Sequence, residues 1–148
     1  MPASSSELED LLPHRPPMTL IDEVVAFDVE SRSLTAAVTA RREWCENWVA
    51  IELMAQTAAA LVGRFDRESG YQGPPRPGFL LGTRKLDLRI PRFEPGRRYL
   101  IKATNVFADS EAASFDCEIT DAGEAVAMAT LNAYRPEDMS AFLAEQRK

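Results

Sequence analysis

Trp48-Val-Ala-Ile-Glu-Leu-Met-Ala-Gln-Thr-Ala-Ala-Ala-Leu-Val-Gly63 is the most apolar stretch of the chain, and Glu52, Gln56 and Thr57 are its polar side chains. Its Ala, Leu and Met content favours helix over strand. With its flanks it predicts one long helix from about Asn47 to Glu68, apolar around most of its circumference and so buried on most sides. Helical spacing sets Trp48, Glu52 and Gln56 on the same side as Ala55, Ala59 and Gly63. A carboxylate in such company loses hydration worth several kcal/mol unless it has a partner, a proton or a cavity to face. Desolvation also raises a carboxyl pKa, the condition that makes a general acid. Small side chains beside Glu52 leave room for another backbone or a slender ligand. Two readings stand for the pair: Glu52 and Gln56 bond each other or a neighbouring strand, or Glu52 is an acid or base in an apolar tunnel.

Outward from this helix the pattern changes. Thr19–Asp28 and Ser33–Thr39 read as a hairpin, preceded by the stiff Pro13-His14-Arg15-Pro16-Pro17 run and a short N-terminal helix over Ser5–Leu12. After the Gly/Pro-rich loop Gly70–Gly78 the period becomes two. Leu86, Leu88 and Ile90 alternate with Lys85, Asp87 and Arg89, and Ala113, Phe115, Cys117 and Ile119 alternate with polar residues. Arg98–Ala108 and Ala125–Tyr134 are further strands, with turns at Glu94-Pro95-Gly96, Asp109-Ser110 and Asp121-Ala122-Gly123. The second half is therefore expected to be a four-stranded antiparallel meander. Pro136-Glu137-Asp138 opens a short C-terminal helix. A hairpin, a buried helix and a meander pack as an α+β domain whose antiparallel sheet wraps the helix. The unpaired edges of such a sheet favour dimers.

Composition bounds the rest. A chain of 148 residues, 45% hydrophobic and 27% charged, is ordinary for one globular domain spanning 1–148. A net charge of -6 argues against nucleic-acid binding. Between Arg76 and Lys102, however, eight basic residues face only Asp87 and Glu94. Either these are the wet sides of strands, or they receive an acidic partner. Cys45 and Cys117 fit no zinc or redox spacing and read as reduced thiols. No metal site is expected. With neither a signal peptide nor a membrane-length apolar run, the expected compartment is the cytoplasm, without membrane insertion.

His14 is the only histidine and has no nucleophile motif beside it, so it reads as structural. No phosphate loop or dinucleotide fingerprint is present, which points away from cofactor enzymes. Gly82, inside Phe79-Leu-Leu-Gly-Thr-Arg84, marks either a bulge or the border of the cavity.

Leu11-Leu-Pro-His-Arg-Pro-Pro-Met-Thr-Leu-Ile-Asp22 resembles the opening of the β-hydroxyacyl-acyl-carrier-protein dehydratases of the hotdog fold, and Ala50-Ile-Glu-Leu-Met-Ala-Gln56 resembles their central helix. Gly78–Arg84 and Leu131–Asp138 resemble the ApeP-type branch, associated with aryl polyene synthesis. The resemblance implies a hotdog fold and removal of water from a 3-hydroxyacyl thioester in fatty-acid or polyene synthesis. No bound cofactor is implied, because the substrate rides on the phosphopantetheine of an acyl carrier protein. It gives Glu52 the acid/base role; the helix spacing then has Gln56 orienting it, the positive helix end offers the amides near Asn47 and Trp48 to the thioester carbonyl, and Gly82 is the expected border of the substrate site. Arg84, Lys85, Arg89 and Arg92 would then receive the acidic carrier protein. The family glutamate works with a histidine from the loop before the helix, across a dimer interface. Here Val38–Asn47 holds no histidine. A homodimer lacks that half of the pair, whereas a heterodimer with a histidine-bearing hotdog subunit completes it. The other readings are a non-catalytic stabilising or docking subunit and a hotdog thioesterase with Glu52 as base.

Overall fold

The computed structural model describes residues 19–73, 79–109 and 111–134. His14, Arg76, Ser110 and both expected terminal helices lie outside these residues.

The apolar stretch forms the helix α1, Val49–Glu68. It follows the hairpin β1 (Glu23–Asp28) and β2 (Ser33–Thr39), and precedes β3 (Phe79–Leu88), β4 (Arg98–Ala108), β5 (Ala112–Asp121) and β6 (Glu124–Tyr134). The six strands make one antiparallel sheet in the order β1-β2-β4-β5-β6-β3. α1 lies across it, touching β2 through β6. Leu53, Met54, Ala60 and Leu61 of the helix are fully buried against Leu34, Ile101, Ile119 and Leu131 of the sheet. This is the α+β hotdog arrangement that the resemblance implied.

The expected four-strand meander needs correction. β4, β5 and β6 are joined by tight turns and pair in succession, but β3 crosses to the far edge and pairs with β6. Strand composition does not encode this, because the pairing partner is chosen by which sheet edge the chain reaches after crossing the helix. The alternation in β3 is also off by one. Lys85 adopts a left-handed φ of 55° in a bulge between Arg84 and Asp87, which leaves Leu86 exposed rather than facing the core. β1 begins later than expected, because Leu20 and Ile21 give their amides to the Gln56 side chain.

The inward face of β5 follows the sequence alternation, with Phe115, Cys117 and Ile119 buried between exposed Asp116 and Glu118. Burial, with a contribution from the neighbouring Asp116 charge, pushes the Cys117 thiol up to about 12. The thiolate it would need for reactivity is thus suppressed in the fold. An unfolded thiol ionises near its ordinary value, so this group's contribution to stability is complete below about pH 9 and is lost as pH rises toward 12. The difference amounts to roughly 4 kcal/mol at most. We expect native protein to resist thiol reagents at Cys117 at pH 8, and the denaturation midpoint of Cys117→Ala to fall less steeply between pH 9 and 11 than that of the parent chain. Equal slopes would show that the thiol is not the titrating group.

Candidate active site

α1 begins without a polar cap. Trp48 occupies the cap position, with no side-chain hydrogen bond, and is 63% exposed. The first helical amides are satisfied locally instead: those of Val49, Ala50 and Ile51 donate to the carbonyls of Glu46, Asn47 and Trp48. The loop before the helix is tied to the segment after β3. Asn47 Nδ2 donates to the Ile90 carbonyl at 3.2 Å, and the Phe93 amide donates to the Cys45 carbonyl at 2.7 Å. The helix N-terminus is therefore fixed in place by the chain that follows the edge strand.

One turn in, Glu52 is half-buried, not engulfed as the apolar sequence suggested. Its Oε1 accepts a 3.0 Å hydrogen bond from Gln56 Nε2. Gln56 is fully buried, and its Oε1 accepts from the amides of Leu20 at 2.8 Å and Ile21 at 3.4 Å. Both ends of this amide are thus committed. That fixes which end is oxygen, since only the NH2 end can donate to a carboxylate and only the oxygen can accept from backbone amides. The (i, i+4) spacing read from the sequence brings the two residues together, and the segment leading into β1 orients the pair.

Glu52 lines a cavity of about 670 Å³ between α1 and the sheet. The helix contributes Ala55, Ala58, Ala59, Val62 and Phe65 beyond it, and the sheet contributes Ala113, Phe115, Leu131 and Ala133. Ala55 and Ala59 of the small helical face read from the sequence are therefore part of one cavity wall, whereas Gly63 is not among the lining residues. Asn47, Trp48, Gln56 and Gly82 are not among its lining residues. Gly82 sits at a register shift between Leu80 and Gly82, and a methyl group there would meet nothing within 4 Å. It marks a bulge, not a close approach.

The candidate basic residues lie on and after the edge strand β3, all exposed. Arg89 is paired with Asp87 at 2.9 Å, and Arg84 reaches the Asn132 side chain at 3.4 Å. Farther along, Arg97 is held by Glu94 and Asp121, and Arg98 by Glu23. Asp121 and Glu23, distant in sequence, thus neutralise part of the excess, and Arg84, Lys85 and Arg92 on and after β3 and Lys102 on β4 stand outside these ion pairs.

Sequence reading missed the far end of the cavity, where Arg32, Asp109 and Tyr134 take part. Arg32 holds a left-handed φ of 55° in the β1–β2 turn, its guanidinium on Asn105 Oδ1 and 4.7 Å from the Phe65 ring centre. A charged residue in a turn carries no periodicity, so no pattern marks it. Among the described residues no cluster of His, Cys, Asp and Glu suits a metal ion, and no helix is long and apolar enough to cross a membrane.

Known proteins share this fold. The structure superposes with a TM-score of 0.85 on a chain of the dehydratase heterocomplex ApeI:P from Xenorhabdus doucetiae, at 26% identity over 95% of this chain and 97% of that one. A homologue of HP0420 from Helicobacter felis, 12% identical with a TM-score of 0.65, shares the fold over 92% of this chain and 91% of its own. In sequence, 69 residues are 38% identical to the 3-hydroxyacyl-[acyl-carrier-protein] dehydratase FabZ of Chlamydia pneumoniae, covering 38% of this chain and 45% of that enzyme, so the match spans less than half of the relative's length. A sequence profile of the ApeP dehydratases is broader and matches residues 6–144. With nearly its whole length accounted for in this way, the chain belongs to the ApeP-like dehydratase family.

Proposed function

We propose that this chain is one subunit of a 3-hydroxyacyl-[acyl-carrier-protein] dehydratase of fatty-acid or aryl polyene synthesis, with Glu52 as one member of its acid/base pair. The observation that carries the reading is the carboxylate of Glu52 at the cavity wall, held by a buried amide whose other end is anchored to backbone. Dehydration removes the C2 proton of the thioester, gathers charge as an enolate on the thioester oxygen, and expels the C3 hydroxyl, which takes up a proton and leaves as water. The reaction needs a group to take one proton and a group to give the other. Glu52 supplies one, and the amides of Asn47 and Trp48 at the positive helix end are candidates for the enolate oxygen.

The described segment before α1 contains Arg41, Arg42, Glu43 and Glu46 but no histidine. In our reading the second group comes from a different hotdog subunit, and the assembly of ApeI with ApeP as a heterocomplex supports that. The exposed Trp48, Leu80 and Leu86 near and on β3 give such a partner an apolar surface beside the open edge of the sheet. The test is reconstitution with a histidine-bearing hotdog dehydratase. Dehydration of a 3-hydroxyacyl thioester should be negligible for this chain alone and appear with the heteromer. An isolated chain that dehydrates at full rate would remove the need for a partner.

Arg84, Lys85 and Arg92 are the proposed docking surface for the acidic carrier protein. Reversal of two charges, Arg84→Glu with Lys85→Glu, in a heteromer shown to stay assembled, is expected to slow carrier association by about tenfold or more at low ionic strength, with the difference shrinking as salt is added. Carrier binding followed at two salt concentrations checks this, and an unchanged, salt-insensitive rate places the docking surface elsewhere.

A further inference from the structure

The hold on Glu52 does not end at Gln56. The Gln56 oxygen rests on the amides of Leu20 and Ile21, which precede β1, an edge strand of the sheet. Chain running up to a sheet edge has a strand on one side only, so its place depends on contacts from elsewhere. Arg41, in the loop between β2 and α1, supplies one: its Nη2 donates to the Leu20 carbonyl at 3.1 Å. That carbonyl and the Ile21 amide are the two ends of one peptide group. A cation on the oxygen therefore strengthens the N–H as a donor to Gln56. The Asp22 carboxylate keeps the guanidinium there. Its Oδ1 lies 3.7 Å from the same Nη2, while its Oδ2 accepts from the amide of Thr39, the last residue of β2, at 2.7 Å. The main chain of Arg41 is fixed as well, since its carbonyl accepts from the Trp44 amide at 3.1 Å and the Cys45 thiol at 2.9 Å.

The Arg41 and Asp22 side chains are 44% and 45% exposed, and a pair so open contributes little to stability. The effect of the contact is on the position of a peptide group. Resting on the dehydratase reading, we propose that Arg41 is a positioning residue of the site, acting on Glu52 through the Leu20–Ile21 peptide group and Gln56. Arg41 does not line the cavity. Its influence travels along one line of hydrogen bonds, in which every donor points the same way: guanidinium to Leu20 carbonyl, Ile21 amide to Gln56 Oε1, Gln56 Nε2 to the Glu52 carboxylate. The line runs from a cation to an anion, the sense in which successive bonds reinforce one another. Without the guanidinium, the segment before β1 is held less firmly, and the amide that aims Glu52 loses part of its anchor.

The test is a double-mutant cycle in the assembled heteromer, using a 3-hydroxyacyl-pantetheine substrate so that carrier docking plays no part. Arg41→Met keeps the aliphatic stem and removes the donor. It should lower kcat about three- to tenfold, with KM and Tm little changed, because a small misplacement of a reacting group is felt in the chemical step. Arg41→Lys should recover most of the loss, since a single nitrogen makes both contacts and an ammonium can stand in for it. In a Gln56→Leu background, Arg41→Met should change kcat by less than about twofold, the line being already cut. In the isolated full chain, hydrogen exchange at the Leu20 and Ile21 amides should quicken at least about fivefold in Arg41→Met, with Leu34 in β2 unaffected. An unchanged kcat overturns the proposal, as does unchanged exchange at both amides. An equal loss of kcat in the two backgrounds also overturns it, because Arg41 would then act by a route that bypasses Gln56. A parent heteromer that does not dehydrate overturns the dehydratase reading itself and this inference with it.

Discussion

Glu52→Gln in the assembled heteromer is expected to lower the dehydration rate by about 10²–10⁴-fold, the range general acid/base catalysis contributes. The substitution is close to isosteric. It retains an oxygen that can accept the 3.0 Å bond from Gln56 Nε2, and Glu52 is half-buried at the cavity wall, so the fold should tolerate it. What it removes is the ability to exchange a proton. The loss should fall on kcat, with substrate binding little changed, because the group acts on the reacting atoms. The measurement is the appearance of the enoyl thioester from a 3-hydroxyacyl substrate, with the partner subunit's own residues intact. An unchanged rate would make this chain a stabilising subunit whose carboxylate is a relic. Release of free thiol by the chain alone, abolished by the same substitution, would make it a thioesterase.

The helix and its polar pair were legible because 3.6-residue periodicity places Glu52 and Gln56 on one face whatever surrounds them. Phe115, Cys117 and Ile119 were legible for the same reason, as alternation along β5. Periodicity is local, and the features it missed are not. The pairing of β3 with β6 depends on a crossover, and the displaced alternation at Leu86 depends on one left-handed residue, Lys85, which has no glycine to announce it. The opening of the cavity gathers the β1–β2 turn, the end of α1 and the β4–β5 turn from more than 70 residues apart. Apolar composition also overstated the burial of Glu52, because the side of the helix that carries it faces a cavity and not a packed strand.

Gln56→Leu is expected to cost more stability than any loss at Glu52 itself. Leucine nearly fills the volume, so the cost is not chiefly a void; it is the stranding of hydrogen-bonding groups. The Leu20 amide loses its 2.8 Å acceptor and the Ile21 amide its longer one, in a region where Ile21 is 2% exposed. An unsatisfied buried donor costs about 1–3 kcal/mol, so a loss near 3 kcal/mol follows, or a drop in Tm of roughly 6–12 °C for a chain of this size. Thr57→Val is the control. Thr57 is equally buried but its hydroxyl only donates to the Leu53 carbonyl one turn back, which the helix already satisfies, and about 1 kcal/mol or less should be lost. Function separates the two further. Gln56→Leu frees the Glu52 carboxylate from its orienting donor, so activity of the heteromer should fall even below the temperature at which the variant begins to unfold. Thr57→Val should leave activity near that of the parent. Equal thermal losses for the two variants would mean that Gln56 is merely packed. A Gln56→Leu heteromer that is destabilised yet fully active would mean that it ties β1 to the helix without positioning Glu52.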